Sequence, residues 1–128
     1  MTPSFTRAEL ACRCCGLAQF HPGFLTRLQE LRDAFGEPMK VNSACRCINH
    51  NVALGAAVRS FHIGDQPQHA GQQGTMAIDI ATPSGPYRGK LFAEAWARGW
   101  SIGWNAKRGF LHLDRRVDVG LPQTSFDY

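Results

Sequence analysis

The residues best suited to chemistry lie in apolar surroundings. Asp79 sits inside Met76–Ala81, a run whose other side chains are apolar. A lone carboxylate buried there costs on the order of several kcal/mol unless it pairs with an arginine or binds a cation. His112 lies between Leu111 and Leu113, and Asp114 follows at the two-residue period of a strand. Imidazole and carboxylate therefore share one strand face. His62 precedes a polar stretch and Asp79 follows it. Two histidines and one aspartate from three segments make a donor set suited to catalytic zinc, with the fourth position left to water. Zinc brings the pKa of that water to about 7 and polarises a carbonyl, so the chemistry implied is hydrolysis of an amide. On spacing alone, His50 and His69 are also available as ligands.

Several elements must hold these residues. Thr6 caps a short helical turn with Glu9 three residues on. Pro22 to Phe35 predicts a helix with Phe24, Leu28, Leu31 and Phe35 on one face, stopped by Gly36 and Pro38. Met39–Ser43 alternates as a short strand, and Asn49 to Ala57 reads as a short helix that Asn49 or Asn51 caps. Gly64 to Thr75 is polar, rich in Gln and Gly, and without period. It is expected to be a loop that cannot pack well, a mobile lid over the site. Met76–Ala81 is a buried strand. Arg88 to Arg98 predicts a helix with Leu91, Phe92, Ala95 and Trp96 inward. Trp100–Trp104 and Gly109–Asp114 read as antiparallel strands turned at Asn105–Arg108, with an irregular tail after Val119. Trp100 and Trp104 are expected in the core or a groove wall, and His21 in solvent.

At 128 residues, the chain has the size of one domain spanning 1–128. Helices followed by strands point to an α+β arrangement. Apolar residues at 44% and charged residues at 19% exclude a disordered chain or a coiled coil. No run reaches the length of a membrane span, and the N-terminus lacks the basic start and apolar block of a signal peptide. A cytoplasmic monomer without membrane insertion is the expectation. The net charge of +4 is scattered, so a nucleic-acid partner is not expected. The five cysteines form two clusters, Cys12, Cys14, Cys15 and Cys45, Cys47. They read either as small buried side chains or as a metal site or bridge between the clusters.

The motifs resemble a known family. Ser60-Phe-His62, Ala77-Ile-Asp79 and Phe110-Leu-His112-Leu-Asp114 are similar to the motifs of M15-type zinc D-Ala-D-Ala carboxypeptidases and phage peptidoglycan endopeptidases. Phe5 to Gly16 and Val41 to Asn51 resemble the small M15-like branch, and the likeness covers roughly residues 5 to 117. The resemblance implies the hedgehog/DD-peptidase-like fold, a small antiparallel sheet with helices packed on it. It implies Zn2+ on His62, Asp79 and His112, with Arg46 and Ser60 binding substrate. It also implies peptidoglycan peptides as substrate and an endolysin-like lytic protein or D,D-carboxypeptidase, released by a holin or carried in a virion. The alternative is a non-enzymatic zinc-containing binding or structural module of the same fold.

Two departures bear on the site. Sixteen residues separate His62 from Asp79, more than in the family pattern, and the inserted stretch carries His69 as an alternative first ligand. Larger relatives place an acid three residues before the last histidine, where this chain has Gly109. Asp114 is left as the expected catalytic base, its other role being to orient a ligand. His50 and Asn51 are expected to be structural.

Overall fold

The computed structural model describes residues 1–66 and 68–128. Its elements, in chain order, are α1 (Arg7–Leu10), α2 (Phe24–Phe35), β1 (Val41–Ser43), α3 (Ile48–Ala53), β2 (Ala77–Ala81), α4 (Gly85–Ala97), β3 (Ser101–Asn105), β4 (Phe110–Asp114), a 3-10 turn (Arg116–Val119) and β5 (Ser125–Asp127). The five strands form one sheet in the order β1-β2-β4-β3-β5. This is the α+β class read from the sequence.

The capping chemistry is local and specific. Thr6 and Glu9 form the reciprocal capping box of α1. Ser84 caps α4 by accepting from the Tyr87 N–H, and Pro86 sits in its first turn. That moves the start of the helix back to Gly85 from the expected Arg88. Within α4, Leu91 and Ala95 are buried, Phe92 packs at the edge and Trp96 is exposed. The inward face is therefore narrower than expected. The α3 helix is capped by the Cys47 Sγ, which accepts from the His50 N–H, not by Asn49 or Asn51.

The sheet has two distinct faces. Ile78, Ile80, Ile102, Leu111 and Leu113 are fully buried and share a core with Leu28 and Leu31 of α2 and Leu91 and Ala95 of α4. Trp100 is buried in the same core, whereas Trp104 is exposed. Because strand side chains alternate, the opposite face of β2 and β4 carries Ala77, Asp79, His112 and Asp114. Pairing is antiparallel through β1, β2, β4 and β3. The register sets Asp79 directly opposite His112, and His112 opposite Gly103.

The tail corrects the expectation of an irregular end and a wholly antiparallel sheet. Residues 125–127 pair parallel with β3, Gly103 opposite Phe126. The chain leaves β4 beside Ser101, the start of β3, and the 3-10 turn keeps it at that end. A strand laid along the free edge of β3 from there must run with it. Gly103 makes this contact possible, since a Cβ would lie 2.7 Å from the Phe126 ring.

The polar stretch after His62 is also better anchored than its composition suggests. Gln72 is buried and its Nε2 donates to the carbonyls of Ile63 (3.2 Å) and Gly74 (2.8 Å). Thr75 N donates to Gln19 O, and Thr75 Oγ1 to His62 O at 2.8 Å. His21 is not simply solvated: its Nδ1 accepts from the Gln73 N–H at 3.0 Å. The exposed part is Asp65 and Gln66 with Ala70, Gly71 and Gln73.

Candidate metal centre

Asp79 and His112 meet because their strands pair in that register, and His62 is brought to them by backbone bonds. Arg46 N donates to His62 O at 2.9 Å, Gly64 N donates to Arg46 O at 2.9 Å, and Ser60 Oγ accepts from His62 N at 3.1 Å. The outcome is convergent. Asp79 Oδ1 lies 3.1 Å from His62 Nε2 and 3.1 Å from His112 Nδ1. The donor atoms of His62, Asp79 and His112 all fall within 4.8 Å of one another. All three residues are buried, His62 completely.

The far nitrogens decide what this cluster can hold. His62 Nδ1 is 2.6 Å from the Ala44 carbonyl, which can only accept, so that nitrogen carries the proton. His112 Nε2 is 2.8 Å from Asp114 Oδ2. The Asp114 carboxyl is buried, which opposes ionisation, but the Arg116 guanidinium and His112 bring its pKa down to about 2. It too is an acceptor near neutral pH. Both near nitrogens therefore aim lone pairs at the same point as Asp79 Oδ1. Lone pairs converging from three sides fit a cation, and the two-histidine, one-carboxylate set suits zinc.

The electrostatics favour the ligating forms of His62 and Asp79. Burial pushes the His62 imidazole toward its neutral, ligating form, against the pull of Asp79. For His112, burial works the same way, but Asp114 and Asp79 outweigh it and raise the pKa, so a metal ion bound here displaces a proton from Nδ1. Burial also penalises the Asp79 carboxylate, yet the two histidines hold it far below the usual carboxylate range. The site thus favours positive charge at its centre.

Around the centre, Arg46 is buried beside Asp79, its Nη2 3.4 Å from Asp79 Oδ2. Ser43 Oγ and Asn51 Oδ1 accept two further bonds from the guanidinium, at 3.0 and 3.2 Å. Asn51 also donates to Ala57 O, so its role is to aim Arg46. Asp114 takes three bonds from Arg116, through its N–H, Nε and Nη2. Arg116 is sandwiched between the rings of Phe61 and Phe126, about 5 Å from each. Tyr128 stacks on His112, ring centroids 4.6 Å apart.

Two clefts reach the centre on either side of Tyr128. One, of about 470 Å3, is lined by Arg46, Asp79, Arg108, Phe110 and the Leu54–Ala57 turn. The other, of about 220 Å3, is lined by Ser60, Phe61, His69, His112, Arg116 and Phe126. Of the two candidate first ligands, His62 joins the cluster. His69 stacks on Phe61 with centroids 3.8 Å apart, and its Nε2 lies 2.9 Å from Arg59 O. His50 lies outside the cluster as well.

Two contributors, Arg116 and Tyr128, were not expected from the sequence, and Asn51, expected to be structural, holds Arg46. Arg116 could have been found by extending the two-residue period one step past Asp114. Tyr128 carries no such signal, because it follows β5 and reaches His112 only through the pairing of β5 with β3. With this geometry in place, a family model described as Peptidase M15 matches residues 3–114. The chain belongs to the M15 peptidase family. No curated protein matches the sequence.

Proposed function

We propose that this M15 family member is a zinc peptidase that hydrolyses amide bonds in peptidoglycan peptides, as an endopeptidase or D,D-carboxypeptidase of the lytic, endolysin-like kind. The carrying observation is the convergence of Asp79 Oδ1 with the lone-pair nitrogens of His62 and His112. Zinc held there supplies Lewis-acid activation of water and polarisation of the scissile carbonyl. Arg46 faces the larger cleft with its guanidinium already fixed by Ser43, Asn51 and Asp79. It is suited to grip a peptide carboxylate or carbonyl. Ser60 supports the backbone of His62 and also lines the smaller cleft.

Asp114 is a positioning residue in this reading. Its carboxylate is on the His112 nitrogen turned away from Asp79, fully buried and saturated by Arg116. It fixes the ring and its tautomer. In this reading the proton acceptor is His69. His69 lines the cleft that reaches His112, and its Nε2–H donates to Arg59 O, which leaves Nδ1 with a lone pair.

One observation favours the second reading, a zinc-containing binding module. Among the described residues lining the two clefts, Asp79 is the one carboxylate, so no free acid stands ready. Zinc content and muropeptide release decide between the readings. The wild type should bind zinc and release peptide fragments, and His112→Ala should lose both the metal at this site and turnover. His69→Ala should keep zinc and lose on the order of 10²–10⁴ in rate. Bound zinc with no cleavage of any peptidoglycan type would support the binding module.

A further inference from the structure

Four of the five cysteines gather away from the histidine centre. We propose that Cys12, Cys14, Cys15 and Cys47 form a second metal site, a closed tetrathiolate that holds one structural zinc ion and clips the N-terminal loop to the start of α3. The four sulphurs all lie within 4.8 Å of one another. Cys12 Sγ and Cys14 Sγ are 3.6 Å apart, and Cys14 Sγ and Cys47 Sγ 3.3 Å. Zinc–thiolate bonds of about 2.3 Å in a tetrahedron put the sulphurs about 3.8 Å apart, so little movement completes the site.

The backbone is already arranged for thiolates. Cys47 N–H donates to Cys12 Sγ at 3.4 Å, and His50 N–H donates to Cys47 Sγ at 3.4 Å. The loop closes on itself, with Gly16 N–H to Cys12 O at 2.9 Å and Gly16 at φ +76°, so Cys14 and Cys15 sit in one tight turn. Such N–H to sulphur bonds spread the negative charge of a metal-bound thiolate. The fifth cysteine is excluded by the same geometry. Cys45, two residues before Cys47 in the chain, turns its Sγ toward Gln19 O. This accounts for an odd number of cysteines without an odd thiol in the cluster.

Binding forms Zn–S bonds and sends the thiol protons to solvent, with no oxidant required. All-sulphur ligation leaves no open position, so this ion is not catalytic. Its place in the fold makes it a support for the histidine centre. Cys47 adjoins Arg46, and fixing the start of α3 fixes the approach of Arg46 and Asn51 to Asp79.

The test uses the full chain purified under reducing conditions with zinc. The wild type should carry about two zinc ions and His112→Ala about one, with sulphur neighbours at about 2.3 Å in zinc-edge X-ray absorption. Cobalt-loaded His112→Ala should show intense sulphur-to-metal charge-transfer absorption in the near ultraviolet. Cys14 and Cys15 are exposed, so Cys14→Ser with Cys15→Ser should leave the fold intact, abolish that band and remove the sulphur-bound zinc. A zinc shell of nitrogen and oxygen alone would overturn the proposal. So would a Cys14–Cys47 disulfide, seen as a mass about two daltons low, with no sulphur-bound metal. Because the readout is taken in His112→Ala, it stands or falls separately from the peptidase reading.

Discussion

Asp114 shares a strand face with His112, yet its carboxylate meets the imidazole at Nε2, the nitrogen pointing away from Asp79. Asp114→Asn keeps the shape and an acceptor oxygen but loses the charge that holds both His112 and Arg116. An orienting partner of this kind contributes on the order of 10–100-fold to metal affinity. The variant should therefore bind zinc that much more weakly and turn over near normally once saturated. An unchanged zinc affinity with turnover down by about 10²–10⁴ would instead make Asp114 a direct proton carrier. The pairing of His112 with Asp114 and the burial of Asp79 were legible because both follow from a two-residue period in apolar strands. Which imidazole nitrogen faces which carboxylate was not, since that depends on rotamers set by Arg116 and Ala44. His62 could be distinguished from His69 by motif and by the backbone that pins it, not by spacing.

The parallel strand β5 is the element that the sequence hid. Ser125–Asp127 is three residues long, two of them polar, so its pattern is no stronger than that of a loop. It forms because Gly103 leaves room on β3 for the Phe126 ring, which lies against Arg116, with Tyr128 on His112. Gly103→Ala would push a Cβ into that ring. Overpacking of this kind costs about 1–3 kcal/mol, read as a lower midpoint in denaturant. The variant should also lose turnover more than zinc, because the displaced rings wall the clefts and are not ligands. A stable variant with normal turnover would detach β5 from the site. The polar stretch after His62 misled for a related reason. Its residues are polar, but Gln72 and Thr75 spend that polarity inside, on backbone carbonyls. Amphipathic elements such as α2 were legible because burial there follows a simple period.

For the molecule as a whole, one buried face of the sheet is charged and the other is apolar, so stability is tied to protonation. Asp114 has a folded pKa near 2 against an ordinary 3.8. Its depressed value means that its contribution is fully present above pH 4 and is lost as the pH falls toward 2. That loss is worth roughly 2 kcal/mol, and Asp79 shifts in the same direction. Metal-free protein should lose stability steeply over this interval in a denaturant titration, and Asp114→Asn should show a shallower fall. Equal pH slopes for the two proteins would contradict the Asp114–Arg116–His112 network.

Zinc-dependent peptidase activity is read most directly by following, with mass spectrometry, the peptide fragments released from purified peptidoglycan. The protein is tested as purified, after chelation, and after zinc is returned. Cleavage at amide bonds of the peptide moiety should disappear with the metal and return with zinc. Cleavage that survives removal of the histidine-bound metal, or none from fully zinc-loaded protein, would contradict the zinc peptidase reading.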